Sequence, residues 1–295
     1  MKDIIVIAGP TGVGKTKLSV ELAKLIDAEI VNADSMQVYR NLSIGTAKIK
    51  ESEKEGIVHH LFDIKDVEEL YTIYDYQKDA RKCIANILSR NKKVILVGGS
   101  GLYIRACLYN YNFKEELINK NYDNYSTETL YEMVQNIDKD TNIHPNNRKR
   151  LIRFLNKHEN GSINEEIAKP IYDFSIVGLT TDRENLYRII NKRVDKMLQD
   201  GLLEEVKTLY DKKINSKAIN TGIGYKELYK YFDGEISLGE AVDLIKKNSR
   251  HYAKRQYTFF NNQFQMKWFE TNYLDFSSTV NEIYKYLEES NNKIG

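Results

Sequence analysis

The feature that most constrains this chain is a glycine-rich segment between an apolar run and an amphipathic one. Residues 4–8 are all apolar, and residues 18–26 repeat apolar side chains at helical spacing. Between them, residues 9–16 read Gly-Pro-Thr-Gly-Val-Gly-Lys-Thr. The pattern predicts a buried strand, a tight turn and a helix. Glycines allow the backbone of such a turn to point its N–H groups inward, and the positive end of the following helix lies beside them. The segment therefore predicts a cradle for phosphate groups.

Each residue type in this segment has a place in phosphate chemistry. The Lys15 ammonium would neutralise the distal phosphate, and the Thr16 hydroxyl would ligate a Mg²⁺ ion. We predict that the whole segment binds an oligophosphate, through Gly9, Pro10, Thr11, Gly12, Val13, Gly14, Lys15 and Thr16. The motif indicates the class of ligand only. It does not indicate which oligophosphate binds, or whether a P–O or a C–O bond is broken.

The rest of the chain predicts an α/β fold with an insertion. Three more apolar runs alternate with helical periodicity, at residues 30–31, 93–97 and 174–179. This alternation predicts a parallel sheet flanked by helices, of the P-loop NTPase-like type. From residue 113 the sequence is polar and rich in Asn and Tyr, with weak helical periodicity. We therefore predict a P-loop catalytic core over residues 1–112 and 172–295 and a helical insertion over residues 113–171.

Polar or glycine-rich residues follow two of the predicted strands. Asp34 comes after the run at 30–31, and Gly-Gly-Ser-Gly at residues 98–101 comes after the run at 93–97. Because the carboxyl ends of parallel strands meet at one edge of a sheet, both are expected beside the phosphate cradle. For Asp34, a role in the site and a cap on the next helix are both open. For residues 98–101, a second set of N–H donors for an anion and a simple tight turn are both open.

Two segments concentrate positive charge. Residues 144–153, inside the predicted insertion, carry Lys149, Arg150 and Arg153 with no acid nearby. Residues 250–260 alternate cations with aromatic side chains, a pattern that suits a nucleic-acid backbone and its bases. Each segment also has a plainer interpretation. The first could be a solvated basic face, and the aromatic residues of the second could belong to the core.

Composition limits the remaining classes of function. A net charge of +2 over 295 residues means that any nucleic-acid surface is local. Cys83 and Cys107 lack the spacing of a disulfide or metal motif, and adjacent His59 and His60 would point to opposite faces of a strand. We expect reduced thiols and no metal held by these histidines. The sequence shows no leader pattern or membrane-spanning run, and we expect a cytoplasmic monomer with no membrane partner.

Eight short motifs follow one another along the chain. They lie at residues 9–16, 34–39, 44–48, 59–63, 97–103, 144–147, 224–227 and 252–256. As a set, and in this order, they closely resemble the tRNA dimethylallyltransferase (tRNA isopentenyltransferase) family over nearly the whole chain up to Phe260. The resemblance implies a transfer reaction without hydrolysis of a nucleoside triphosphate.

The resemblance also implies roles for individual residues. In that family, dimethylallyl diphosphate donates its prenyl group to the exocyclic N6 of the adenosine 3′ of a tRNA anticodon, and diphosphate leaves. Asp34 would be the general base on N6, while Lys15, Thr16 and Mg²⁺ would stabilise the departing diphosphate. Ser100 would lie near the reacting groups. Contacts to the tRNA are implied for Asp34, Ser35, Met36 and Gln37 at the adenine and for Lys149, Arg150 and Arg153 elsewhere.

Departures from the family pattern leave these groups in place. Ser100 stands where Thr is usual and keeps a hydroxyl, and Asn261 stands where an Arg is common, which predicts one weaker backbone contact.

Three other functions share parts of the pattern: a small-molecule P-loop kinase that uses ATP, an RNA-binding protein gated by nucleotide, and a prenyltransferase acting on free adenylate. The basic segments favour a tRNA acceptor over a free nucleotide.

Overall fold

The computed structural model describes residues 1–111, 120–159 and 169–290, and six strands in them form one parallel sheet. The strands are β1 (Ile4–Ala8), β2 (Ala28–Asn32), β3 (His59–His60), β4 (Lys93–Val97), β5 (Phe174–Thr180) and β6 (Lys267–Glu270). Their order across the sheet is β3-β2-β4-β1-β5-β6, with every neighbouring pair parallel. The predicted parallel α/β sheet is therefore confirmed, and the glycine-rich segment follows a strand in its interior.

Helices flank this sheet and connect its strands. In chain order, the described residues form α1 (Lys15–Ile26), α2 (Ile73–Ser89), α3 (Gly101–Leu108), α4 (Thr127–Ile137), α5 (Arg148–Glu159), α6 (Arg183–Gln199), α7 (Leu202–Asp211), α8 (Lys217–Thr221), α9 (Tyr225–Phe232), α10 (Leu238–Gln263) and α11 (Phe276–Glu289). A short 3₁₀ helix, Glu51–Glu53, lies in the long segment between β2 and β3. Among these helices, none has both the length and the apolar character that a membrane span requires.

The interior strands β1, β2 and β4 are buried on both faces, which explains the continuous apolar runs of β1 and β4. Successive side chains of a strand alternate between the two faces of the sheet. In β1, Ile5 and Ile7 pack in one apolar cluster with Leu18 of α1. Val6, between them, packs in the other cluster with Tyr76 of α2. Two cores therefore hold the sheet, and the polar groups described below follow the carboxyl ends of its strands.

The chain divides into two compact units. The first consists of residues 1–109 and 171–295 and contains the sheet, and the second consists of residues 110–170. In the second unit, α4 and α5 pack around a small core formed by Tyr122, Leu130, Val134, Leu151 and Leu155. Parts of the insertion predicted at 113–171, namely residues 113–119 and 160–168, lie outside the described residues.

Candidate active site

A cavity of about 320 Å³ lies in the first unit, where β1, β2 and β4 end. Its wall is formed by the glycine-rich loop, the turns after β2 and β4, the segment 45–49, and parts of α6 and α10. Seven of the residues predicted for the site line it, namely Thr11, Lys15, Thr16, Asp34, Ser35, Met36 and Gln37. A second, more open cavity shares Lys15 and Thr16 with the first and is also lined by Gly12 and Gly14.

The glycine-rich segment folds as a tight loop that ends at the first turn of α1. Gly9, Gly12 and Gly14 have φ angles of 139°, 91° and 93°, a region of backbone conformation that favours glycine. A Cβ atom on Gly9 would also lie 2.5 Å from the carbonyl oxygen of Leu179 in β5. Gly14 precedes the first residue of α1, and the first N–H groups of a helix have no partner within it. The loop therefore has the conformation that a phosphate cradle requires.

Lys15 is a cation held close to this loop. Its Nζ donates to the carbonyl oxygen of Pro10 at 2.7 Å. Burial and the positive charge of Arg193 lower the pKa of Lys15 to about 7, while the Asp34 carboxylate acts in the opposite direction. Within the described chain, no carboxylate lies within ion-pair distance of Lys15 or Arg193. A bound anion would therefore supply the partner charge that both cations lack and would raise this pKa.

Arg193 is a site residue that the sequence prediction omitted. It lies on α6 and lines the cavity, and its Nη2 donates to the carbonyl oxygen of Thr46 at 3.4 Å. Burial lowers its pKa, and the Asp34 charge acts in the opposite direction. The sequence did contain a signal, because Ile190 and Val194 belong to the buried stripe of α6 and Arg193 falls within that stripe. A cation at such a position indicates a charge that faces inward.

Asp34 lies in a turn, and the alternative that it caps a helix is wrong. Its Oδ1 accepts a hydrogen bond from the N–H of Met36 at 2.9 Å, as in an Asx turn. The next helical turn in the chain starts only at Glu51. Asn32 holds the same residue, because its Oδ1 accepts from Asp34 N at 2.9 Å and its Nδ2 donates to the Asp34 carbonyl oxygen at 3.1 Å. The Asp34 carboxylate is thus fixed on the cavity wall through its own backbone.

Two N–H groups of the turn after β4 bind neighbouring segments and are not free to bind an anion. The N–H groups of Gly98 and Ser100 donate to backbone carbonyls at 3.4 and 3.1 Å, the second being that of Ala33. A Cβ atom on Gly98 would lie 2.1 Å from the Ala33 carbonyl oxygen, which explains the glycine. The anion interpretation of this turn is therefore wrong for these two groups. The Ser100 hydroxyl accepts from Ser35 N at 3.1 Å and thereby braces the turn after β2.

Gln256 of α10 connects two loops of the site. Its buried side chain accepts from Thr11 N through Oε1 at 3.0 Å and donates from Nε2 to the Gly99 carbonyl oxygen at 3.0 Å. Lys254 and Arg255, on the same helix, are exposed. One face of α10 is therefore core, as the plainer interpretation predicted, and the other presents cations to solvent. Contact of these cations with a nucleic acid stays a prediction.

The adjacent histidines of β3 have separate partners. His59 lines the cavity, its Nδ1 lies 2.9 Å from the carbonyl oxygen of Ile57, and burial lowers its pKa. His60 Nε2 lies 2.7 Å from the buried carboxylate of Glu29. The Arg90 guanidinium lowers the pKa of Glu29 to about 2. Burial acts in the opposite direction, and the hydrogen bond with His60 lowers the pKa further. His60 and Arg90 therefore form an ionic cluster around the buried carboxylate of Glu29.

The basic residues predicted to contact tRNA lie on α5, in the second unit. Lys149, Arg150 and Arg153 are all exposed. Arg148 differs, because its guanidinium donates to three backbone carbonyl oxygens of the preceding segment, at 2.6, 2.7 and 3.4 Å. Lys149, Arg150 and Arg153 are thus available to a partner, whereas Arg148 stabilises the unit itself.

The donor set around Thr16 fits a magnesium ion that binds together with phosphates. Thr16 is exposed on the cavity wall, directly after Lys15. Mg²⁺ in phosphate sites takes few protein ligands and completes its octahedron with waters and substrate oxygens. Within the described residues, no group of three or more His, Cys, Asp or Glu side chains could hold a metal ion without such a substrate. The Thr16 hydroxyl beside the glycine-rich loop fits this kind of binding, and the magnesium ion stays a prediction.

The parallel sheet, the glycine-rich loop after β1 and the cation-lined cavity define a P-loop-like α/β enzyme. A family model described as IPP transferase matches residues 37–263. The chain is 46% identical to the tRNA dimethylallyltransferase of Anoxybacillus flavithermus, with 97% of this chain and 96% of that protein covered. It is 43% identical to the tRNA dimethylallyltransferase of Bacillus subtilis, with the same coverage of each.

Solved structures agree with these sequence matches. The full-length tRNA isopentenylpyrophosphate transferase of Bacillus halodurans has a TM-score of 0.80 and 39% identity, covering 100% of this chain and 99% of that one. A eukaryotic dimethylallyltransferase, described as acting on tRNA, has a TM-score of 0.78 and 29% identity, covering 93% of this chain and 75% of that one. The chain belongs to the tRNA dimethylallyltransferase family, and is therefore a transferase. The predicted family and P-loop-like fold are both confirmed.

Proposed function

We propose that this enzyme transfers the dimethylallyl group of dimethylallyl diphosphate to the exocyclic N6 of the adenosine 3′ of the anticodon in tRNA. The observation that carries the proposal is one cavity whose wall combines the carboxylate of Asp34 with two cations, Lys15 and Arg193, that have no ion-pair partner among the described residues. The cations suit a diphosphate leaving group, and the carboxylate suits the proton that N6 must lose. The names of the relatives support the same reaction.

At the donor end, the bond between C1 of the prenyl group and the diphosphate oxygen breaks, and negative charge develops on that oxygen. Lys15, Arg193 and the first residues of α1 line one small cavity, so their positive charges and N–H groups would lie close to this oxygen when the charge appears. Mg²⁺, held by Thr16 together with the diphosphate, would add positive charge at the same oxygens. Burial makes each of these interactions stronger than in water.

At the acceptor end, the N6 nitrogen forms a bond to C1 while its proton passes to the Asp34 carboxylate. Oδ1 of Asp34 already accepts from Met36 N, and we therefore assign the second oxygen to the N6 proton. Ser35, Met36 and Gln37 line the cavity beside Asp34 and would contact the adenine. An adenine inside an anticodon loop must leave the base stack to reach such a site.

The tRNA outside the cavity would be held by its phosphates. Lys149, Arg150 and Arg153 are exposed on α5 and suit this role, because cations without local partners release counterions when phosphates bind. We further propose a cytoplasmic monomer. The described residues of one chain suffice to form the cavity, and Cys83 and Cys107 are unpaired thiols, as expected in a reducing compartment.

The test is mass analysis of tRNA nucleosides after incubation of the enzyme with tRNA, dimethylallyl diphosphate and Mg²⁺. The proposal expects adenosine to gain one dimethylallyl group, at the position 3′ of the anticodon, with one diphosphate released per group. ATP consumption without tRNA modification would indicate a kinase instead. Prenylation of free AMP in preference to tRNA would indicate the adenylate enzyme, and tRNA binding without any reaction would indicate a gated RNA-binding protein.

A further inference from the structure

The carboxylate of Glu205, on α7, accepts four hydrogen bonds, and every partner that it has among the described residues is a donor. Its Oε2 accepts from the N–H groups of Ser43 and Ile44 at 3.0 and 2.8 Å, and its Oε1 accepts from Gly45 N at 3.1 Å. The Tyr225 hydroxyl donates to the same Oε1 at 2.7 Å. Three successive backbone N–H groups therefore form an anion site that the protein's own carboxylate fills.

The segment held by this carboxylate has a backbone that needs support. Gly45 packs directly on Tyr225, because a Cβ atom there would lie 2.6 Å from the tyrosine ring. Ala47 then adopts a φ of 44°, a left-handed conformation that is costly for a residue with a Cβ atom. Its N–H donates to the Ile44 carbonyl oxygen at 2.9 Å, which closes the turn. Glu205 fixes the residues that precede this strained position.

The carbonyl oxygen of Thr46 connects this segment to the cavity. It accepts from Gln37 Nε2 at 3.0 Å and from Arg193 Nη2 at 3.4 Å. Both of these side chains line the cavity, whereas Glu205 does not. Thr46 directly follows the three residues bound by Glu205. Its carbonyl oxygen thus accepts from both Gln37, which is proposed to contact the adenine, and Arg193, which is proposed to contact the diphosphate.

We infer that Glu205 is a positioning residue of the transfer reaction, acting on Gln37 and Arg193 through the backbone of residues 43–46. This inference rests on the proposed function, since it assigns a role within that reaction. The chemistry of the partners makes the carboxylate specific. Every partner donates, and a backbone N–H cannot become an acceptor, so only a group with two accepting oxygens satisfies all of them.

The decisive variant is Glu205→Gln, which keeps the length of the side chain but replaces one accepting oxygen with an NH₂ group. The Tyr225 hydroxyl can turn to accept from that group, but at least one backbone N–H of the segment would face another donor. Because a misplacement of about 1 Å can cost about 100-fold in rate, single-turnover transfer should fall by about 10- to 100-fold, and the KM for the prenyl donor should rise. Glu205→Asp retains two accepting oxygens and should recover part of the rate.

Two comparisons separate positioning from a general loss of structure. Glu204→Gln, at the exposed neighbouring residue of α7, removes the same charge and should behave like the parent. In a background that already carries Gln37→Ala and Arg193→Lys, Glu205→Gln should cost much less than in the parent, because the groups through which it acts are already altered. Rates are measured per folded molecule, with the folded fraction taken from urea unfolding.

The outcomes distinguish this inference from the proposed function. If the parent enzyme transfers no prenyl group to tRNA, the proposed function fails, and this inference fails with it. If the parent is active and Glu205→Gln matches Glu204→Gln, only the positioning role is overturned. Equal costs in the two backgrounds would overturn it as well. Should Glu205→Gln not fold, the same cycle with Glu205→Asp decides in the same way.

Discussion

The amide of Gln256 offers a direct test of how the loops of the site are held. It joins the glycine-rich loop to the turn after β4, because it accepts from Thr11 N and donates to the Gly99 carbonyl oxygen. Gln256→Leu keeps a side chain of similar size and removes both hydrogen bonds at once. The two backbone groups are then left without these partners, and the loops lose their only direct link through this helix among the described contacts.

The magnitude follows from the burial of those two groups. Gly99 is buried, so its carbonyl oxygen would lose a partner without gaining water, at a cost of about 1–3 kcal/mol. Thr11 is half-buried on the cavity wall, where water can replace the amide, so its N–H adds about 0.5–1.5 kcal/mol. We expect the free energy of unfolding to fall by about 1.5–4.5 kcal/mol. If loosening of the loop takes about 1 kcal/mol from donor binding, the KM for the prenyl donor rises about fivefold.

Urea unfolding measures the change in the free energy of unfolding. The transition is monitored by the fluorescence of the single tryptophan, Trp268, in β6 of the first unit. The m-value should stay constant while the midpoint falls. Gln263→Leu is the matched control, because it makes the same change at the end of α10, away from both loops. An unfolding free energy within about 0.5 kcal/mol of the parent, together with an unchanged donor KM, would refute the bridging role of Gln256.

Two further predictions concern charge. Lys149→Ala and Arg153→Ala should each weaken tRNA binding and leave donor binding unchanged, and each should make the slope of log K against log salt shallower by about one unit in filter binding. An unchanged slope would show that these residues are solvated and do not contact phosphates. The pKa of Lys15 is lowered to about 7 in the free enzyme, so Lys15 loses its charge as the pH rises from 7 to 9, and the affinity for the prenyl donor should decrease. Lys15→Arg stays charged over that range, and its donor affinity, measured by calorimetry, should not change with pH.

Much of the fold could be predicted because its signals are local in the sequence. The strand, glycine-rich turn and helix at residues 4–26 are contiguous, and the apolar strands follow from burial on both faces of a parallel sheet. Asp34 shows the limit of such local reasoning. A helix cap and an Asx turn both use a side-chain oxygen that accepts from a backbone N–H a few residues later, so the same residue suits either. The following residues, and not Asp34 itself, decide which one forms.

The residues that complete the site could not be predicted in the same way, because their partners are distant in sequence. Gln256 bonds a residue 245 positions away, and Glu205 bonds Gly45 across 160 positions. A glutamine or glutamate on a helix has many possible partners, and its sequence neighbourhood does not select one. Arg193 was the exception, since its place in the apolar stripe of α6 was visible beforehand. The motifs from which the site was predicted are thus local in sequence, whereas the contacts that position them are long-range.

Asp34→Asn tests the central chemical assignment most sharply. Asn retains an oxygen that can accept from Met36 N, so the turn survives, whereas Asp34→Ala would remove that bond and mix structural with chemical effects. Asn cannot take up the N6 proton, and loss of general base catalysis should slow single-turnover transfer by about 10²–10⁴-fold with near-parental affinity for both substrates. Asp66→Asn, at an exposed carboxylate, is the control. A single-turnover rate close to the parent would show that the N6 proton leaves by another route, with Asp34 serving only the turn.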